Sequence, residues 1–291
     1  MGKRKWFYNL INIIFLIGAF ISLGTIFISK SVDIHKYLKY NMLLFSIIFT
    51  ICFVFNHSIK MLRFYLILID EDIKISRFIK IYIKTMFVNI LLPFKSGELF
   101  RFYCYSNETN NYKAGILSVL VERFFDTLGL MFLLIPIEFY TIHRLTVSTA
   151  ILLTLIAIML YMYITFHGFY DYMNRYLIFY THSKKSVTWL KALENLNEWY
   201  LYIEKLISKR VVFILGLSLV AWVVEMAMFY MLLGLMHSAF SLEVFSGYLN
   251  SAMVGGDNSL LTIYRVGASV LLAISVILVY LPLKKRRVRD A

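Results

Sequence analysis

Long apolar runs alternate with short polar stretches along this chain, and the run lengths set the elements. A helix that crosses a bilayer needs roughly 20 apolar residues. Six runs meet that length: 7–29, 42–64, 114–137, 147–166, 211–235 and 259–283. A further run, 78–105, is interrupted by NILLPFKSGELFR at 89–101. Proline removes a helix hydrogen bond and clashes with the preceding turn, so this run predicts two short helices with a break at Pro93–Gly97. Between 167 and 210 the apolar residues thin out, but Trp189, Leu193, Leu196, Tyr200, Ile203 and Ile207 recur every three or four positions. That spacing predicts an amphipathic connector lying on the membrane interface.

The basic residues orient these runs. With the N-terminus cytoplasmic and 78–105 not crossing, twenty-two Lys and Arg fall in 1–6, 69–113, 167–210 and 284–291, against four in 30–41, 138–146 and 236–258. Cytoplasmic loops carry the excess of Lys and Arg, so both termini are expected in the cytoplasm, with KKRRVR at 284–289 as a headgroup anchor. A crossing by 78–105 would blur this bias. The segment is therefore expected to enter and leave on one side, as a re-entrant hairpin whose irregular backbone is sheltered by protein.

Composition agrees. Hydrophobic residues make up 60% of 291, where soluble domains average roughly 45–50%, and mean hydropathy is +0.72. The expected fold is an all-α polytopic membrane protein, a single domain over 1–291 with about six spans plus the hairpin, in the cell membrane. The net charge of +13 is accounted for by cytoplasmic loops facing anionic lipid, so nucleic acid is not an expected partner. The first run is too long for a signal-peptide core of about 7–15 residues and reads as a retained span. His57, His143, His167 and His182 show no metal-ligand spacing, and no nucleophile stands beside a base, so neither cofactor nor enzymatic activity is expected.

Charges inside apolar runs carry the candidate chemistry. Lys60 and Arg63, near the end of the second run, can extend to the cytoplasmic surface. Lys80 and Lys84 are read the same way. Glu122, Arg123 and Asp126 lie well inside 114–137, where each charge costs about 3 kcal/mol or more. Spacings of three and four put them on neighbouring helix positions, so they must face protein or a wet cavity. An internal ion network that locks helices and a site for a charged substrate both satisfy this. The nearby cluster Lys95, Gly97, Glu98 and Arg101 favours the site. Glu98 with Arg101, and Arg123 with Asp126, can pair within each motif or across the two. Glu225, isolated in 211–235, is expected to be protonated or to pair with an Arg, with Arg265 the candidate. Asp257 reads as a loop or cap residue with a lesser claim to a site.

The order Asn89, Pro93, Lys95, Gly97, Glu98, Arg101, followed by Glu122, Arg123 and Asp126, resembles the lysylphosphatidylglycerol synthase transmembrane-region family. The match is specific over these nine positions and rests on span order elsewhere. The resemblance implies a flippase-like membrane protein without the soluble aminoacyl-transfer domain, with those nine residues contacting substrate. Its expected partner is a membrane lipid: an anionic or aminoacylated phospholipid, or a polyprenyl-phosphate-linked glycan. A homo-oligomer or a membrane enzyme partner is compatible with it, the latter as a scaffold that does not transport. The family's late Pro-Gly break is here only VGGDN at 254–258, so a second re-entrant segment is expected to be reduced or missing.

Overall fold

The computed structural model describes residues 2–37, 42–92, 96–180, 184–235, 240–254 and 259–280. These form ten α-helices and one 3₁₀ turn, with no strand among the described residues: α1 Gly2–Tyr37, α2 Met42–Ile67, the turn Ile69–Glu71, α3 Ile75–Leu91, α4 Ser96–Glu108, α5 Tyr112–Thr141, α6 Val147–Tyr180, α7 Lys184–Ile207, α8 Val211–Leu235, α9 Leu242–Val254 and α10 Ser259–Tyr280. Five helices contain stretches long and apolar enough to cross a membrane: Trp6–Ile26, Leu43–Ile67, Val147–Phe179, Val211–Gly234 and Leu261–Tyr280. The sixth expected span is α5, whose 30 residues extend about 45 Å at 1.5 Å per residue but carry the charged cluster. The protein is an all-α polytopic membrane protein.

The interrupted run folds as a helical hairpin. Leu92 leaves α3 with φ −83° and ψ 137°, the extended conformation that a following proline imposes. Pro93 and Lys95 themselves lie outside the described residues. α3 rises beside α1: Lys84 lies by Tyr8 and Asn12, Phe87 contacts Phe20 at 5.0 Å, and a Cβ on Gly18 would lie 3.6 Å from Leu92 Cδ2. The described end of α3, Leu92, thus lies beside Gly18, just past the midpoint of the α1 span. α4 then returns along α3, and the two feet meet where Arg77 Nη1 donates to Glu108 Oε1 at 3.1 Å. The two arms touch so closely near the tip that a Cβ on Gly97 would come 2.2 Å from Asn89 Cα. Of the two uses for a glycine here, close approach and sharp turn, the first applies. Asn89 supplies the backbone against which Gly97 rests.

The hairpin packs against α1, α5 and α10. α2 and α8 run antiparallel, with Arg63 by Ser218 and Lys60 by Glu225. Arg210 fastens the cytoplasm-expected end of α8 to the 3₁₀ turn, donating to both Asp70 carboxylate oxygens at 2.8 and 2.9 Å and to Leu66 O at 3.3 Å. α6 continues to Tyr180, beyond the expected limit of 166, and α7 folds back on it through a 4.8 Å stack of Tyr200 on Phe166. On α7, Leu193 and Leu206 are buried while Trp189 and Leu196 are exposed. The region 236–258, expected to be a short outer connection, contains α9. Phe245 and Tyr248 of α9 pack against Phe229 of α8, so this helix turns inward rather than looping over the surface. The tail 284–291 lies outside the described residues.

Candidate functional site

Six charged side chains from α2, α4 and α5 form one alternating circuit. Arg101 Nη1 donates to Glu122 Oε2 at 2.7 Å, and Arg63 Nη2 donates to the other oxygen, Oε1, at 3.1 Å. Arg63 Nη1 donates to Asp126 Oδ1 at 2.7 Å and to Ser218 Oγ at 2.9 Å. Asp126 Oδ2 lies 3.8 Å from Arg123 Nη1, and Arg123 Nε lies 2.8 Å from Glu98 Oε1. Glu98 and Arg101, three positions apart on α4, are the two ends of this chain of contacts. The alternatives left by spacing are thereby decided: the strong pairs run between the motifs, Glu98 with Arg123 and Arg101 with Glu122.

Burial falls off along the circuit. The Arg101, Arg63 and Glu122 side chains are 0%, 1% and 4% exposed, whereas Arg123 is 34% exposed. Asp126 and Glu98 are intermediate. Three positive and three negative groups cancel, which is what makes deep burial tolerable: a buried pair is sustained by mutual attraction and further hydrogen bonds, and losing one partner strands the other. Arg101 gains additional support from Phe64, whose ring centroid lies 3.9 Å from its Cζ. Its Nε and Nη2, and the hydroxyls of Tyr82 and Tyr105, are buried without a hydrogen-bond partner among the described residues.

Arg63 is not the surface-reaching residue expected at the end of a span. α2 runs on to Ile67, leaving Arg63 a full turn inside, and two carboxylates of α5 draw it inward. Lys60 likewise turns in. Its Nζ donates to Glu225 Oε2 at 2.9 Å, and Glu225 also accepts from Asn56 Nδ2 at 3.2 Å and Tyr248 OH at 3.1 Å. The partner of Glu225 is therefore Lys60 and not Arg265, which is exposed. Trp222 joins the two polar sites: its indole N–H donates to Asp126 O at 3.0 Å, and Lys60 Nζ sits 5.3 Å over its ring. The signal for both basic residues was present in α2, where Asn56, Lys60 and Arg63 follow one another at four and three positions and so share a face. Asp257 lies outside the described residues.

Lys84 also departs from the expected surface-reaching pose, being 4% exposed among Tyr8, Asn12, Phe100 and Cys104. A separate buried carboxylate, Glu138, accepts from Thr146 N at 2.9 Å, Thr146 Oγ1 at 2.8 Å and Thr149 Oγ1 at 2.9 Å. It caps the first turn of α6, where free N–H groups favour an anion.

The sequence model of the lysylphosphatidylglycerol synthase TM region matches residues 11–261, which takes in the hairpin, the circuit and α9. The chain belongs to that family. No curated protein and no solved structure matches it. In this lysylphosphatidylglycerol synthase TM-region protein, all the family-motif residues within the described segments fall in one place: Asn89 and Gly97 build the hairpin, and Glu98, Arg101, Glu122, Arg123 and Asp126 build the circuit. Arg63, Ser218 and Trp222 complete it from α2 and α8.

Proposed function

We propose that this protein moves the headgroup of a membrane lipid between leaflets, with both termini in the cytoplasm and the hairpin opening on that side. The observation that carries the reading is the graded ion circuit, braced at its buried end and accessible at Glu98, Arg123 and Asp126. Carrying a polar headgroup through hydrocarbon costs several kcal/mol unless its hydrogen bonds are replaced. The accessible end supplies both kinds of replacement: Arg123 for a phosphate, and Glu98 and Asp126 for an amine. The acyl chains stay in lipid. Arg101 and Arg63 hold the frame rather than touch substrate, because they are buried behind Glu122 and Asp126. Glu225 with Lys60 forms a neighbouring brace.

The test is flipping of nitrobenzoxadiazole-labelled phosphatidylglycerol in proteoliposomes, read by dithionite quenching. Arg123→Gln and Glu98→Gln are expected to abolish flipping while the protein remains folded. Flipping at the parent rate in both variants would overturn the proposal. The burial of Arg63 and Arg101 against Glu122 favours a second reading, a membrane scaffold for a lipid-modifying or glycan-assembly enzyme with the circuit as an internal lock. A charge-reversed Glu98→Arg, Arg123→Glu protein separates the two: a lock works either way round, a substrate site does not.

A further inference from the structure

Every deeply buried Arg or Lys in the ion networks has a carboxylate partner; Lys84 has none among the described residues. Its Nζ donates to Asn12 Oδ1 at 2.6 Å and meets Tyr8 OH at 3.4 Å. It also lies 5.4 Å from the centre of the Tyr8 ring and 5.2 Å from that of Phe100. Cys104 completes the enclosure, with Sγ 3.8 Å from Asn12 Oδ1. Glu108, one turn beyond Cys104, is bound to Arg77. Neutral oxygens and ring faces offset an ammonium only in part, so among the described residues no carboxylate matches this buried amine.

The cage is distinct from the ion circuit. Phe100 and Cys104, four apart on α4, face Lys84, while Arg101 and Tyr105 face the circuit, so α4 is a wall between them. The outer wall of the cage is α1, which presents Phe7, Leu10, Ile14 and Ile17 outward. Among the described residues α1 is held to α4 by aromatic stacks, Tyr8 on Tyr103 at 5.7 Å and Phe15 on Phe100 at 4.7 Å, and by no ion pair. Tyr8 and Asn12 lie within two turns of Trp6, where the α1 span begins, about 3–9 Å along the axis. That is near the end of the apolar span, on the first turns of α1, and α1, with its exposed apolar face, is the side from which a lipid approaches.

We propose that Lys84 receives the phosphodiester of an anionic lipid in the seam between α1 and α4, before its headgroup reaches the ion circuit. The inference rests on the lipid-moving reading for that sequence of events but not for the binding itself. The full-length protein in phosphate-free maltoside detergent is titrated with dioleoylphosphatidylglycerol, dioleoylglycerol or inorganic phosphate, and its unfolding midpoint is followed. Ligand binding to the folded state raises the midpoint by mass action. Only phosphatidylglycerol is expected to do so. Lys84→Met is expected to be no less stable without lipid, yet to need at least tenfold more phosphatidylglycerol for the same rise; Lys84→Arg retains the response. An unchanged response in Lys84→Met, no response in the parent, or an equal response to inorganic phosphate would overturn the proposal. Should Lys84→Met not fold, a Cys52→Ala protein gives a second readout, in which phosphatidylglycerol slows alkylation of Cys104; absence of protection overturns it equally. A parent that binds phosphatidylglycerol through Lys84 but does not flip it sinks the transport reading alone, and the converse sinks this one alone.

Discussion

Arg63 of α2 donates to Glu122 of α5 across 3.1 Å, although the two are 59 positions apart. Glu122 in turn holds Arg101 with its other oxygen, so a single carboxylate neutralises parts of two guanidiniums on two different helices. Glu122→Ala strands Arg101 and leaves Arg63 with Asp126 and Ser218 alone. The expected loss is about 3–5 kcal/mol, the range for breaking a buried pair, measured as a fall in the unfolding midpoint in detergent. Glu204→Ala, in the helical connector and outside the circuit, serves as the control and is expected to leave the midpoint almost unchanged.

Pairing between the motifs is tested by reversal. Glu98→Arg alone and Arg123→Glu alone are each expected to lower the midpoint, and the double reversal to recover most of the loss. The coupling read from such a cycle falls in the range of about 0.5–3 kcal/mol for contacting residues. Reversing Glu98 with Arg101 is expected to recover nothing, because Arg101 faces Glu122.

Gly97 tests the hairpin. A methyl group 2.2 Å from Asn89 Cα must push the two arms apart, so Gly97→Ala is expected to cost about 1–3 kcal/mol, as overpacking does. Gly24, in α1, has nothing within 4 Å of the same position, and Gly24→Ala is expected to be neutral or slightly stabilising. Equal midpoints for both variants would remove the close approach as the reason for glycine at 97.

The clamp between the 3₁₀ turn and α8 responds to acid. Hydrogen bonds from Arg210 hold the Asp70 carboxyl below its ordinary range, against a smaller opposing effect of burial. A depressed folded value means that the stabilisation is present above the unfolded value of about 3.9 and disappears as pH falls through the folded one. The pair is partly exposed, so it contributes about 1 kcal/mol or less. The parent is expected to exceed Asp70→Asn in midpoint by a constant margin from pH 7 to about 5, and to lose that margin below about pH 4.

Which features were legible follows from how local they are. Five spans and the Pro93–Gly97 break are local, because run length and a proline act within a few residues. The motif also marked Glu98, Arg101, Glu122, Arg123 and Asp126. What hydropathy concealed was the fate of charges near span ends. Arg63 and Lys84 look able to reach water, and only the carboxylates of α5 or the rings of α1 and α4 turn them inward. For Glu225 the sequence offers protonation or an Arg within another span, Arg265, whereas antiparallel packing of α2 on α8 brings Lys60. α9 was missed because thirteen residues are too short for a span, and 236–258 lacks the basic residues that would have marked a cytoplasmic side.

The placement of the hairpin's charges has a consequence for biogenesis. Neither arm reaches the roughly 20 residues of a usual span, and its charges find their partners on α5, which is synthesised after it. The ion contacts of α4 therefore cannot form until α5 has been made, and those of Arg63 with Glu122 and Asp126 await the same moment. A chain truncated before Glu122 is expected to leave the hairpin accessible to protease, and one extending past Asp126 to shield it.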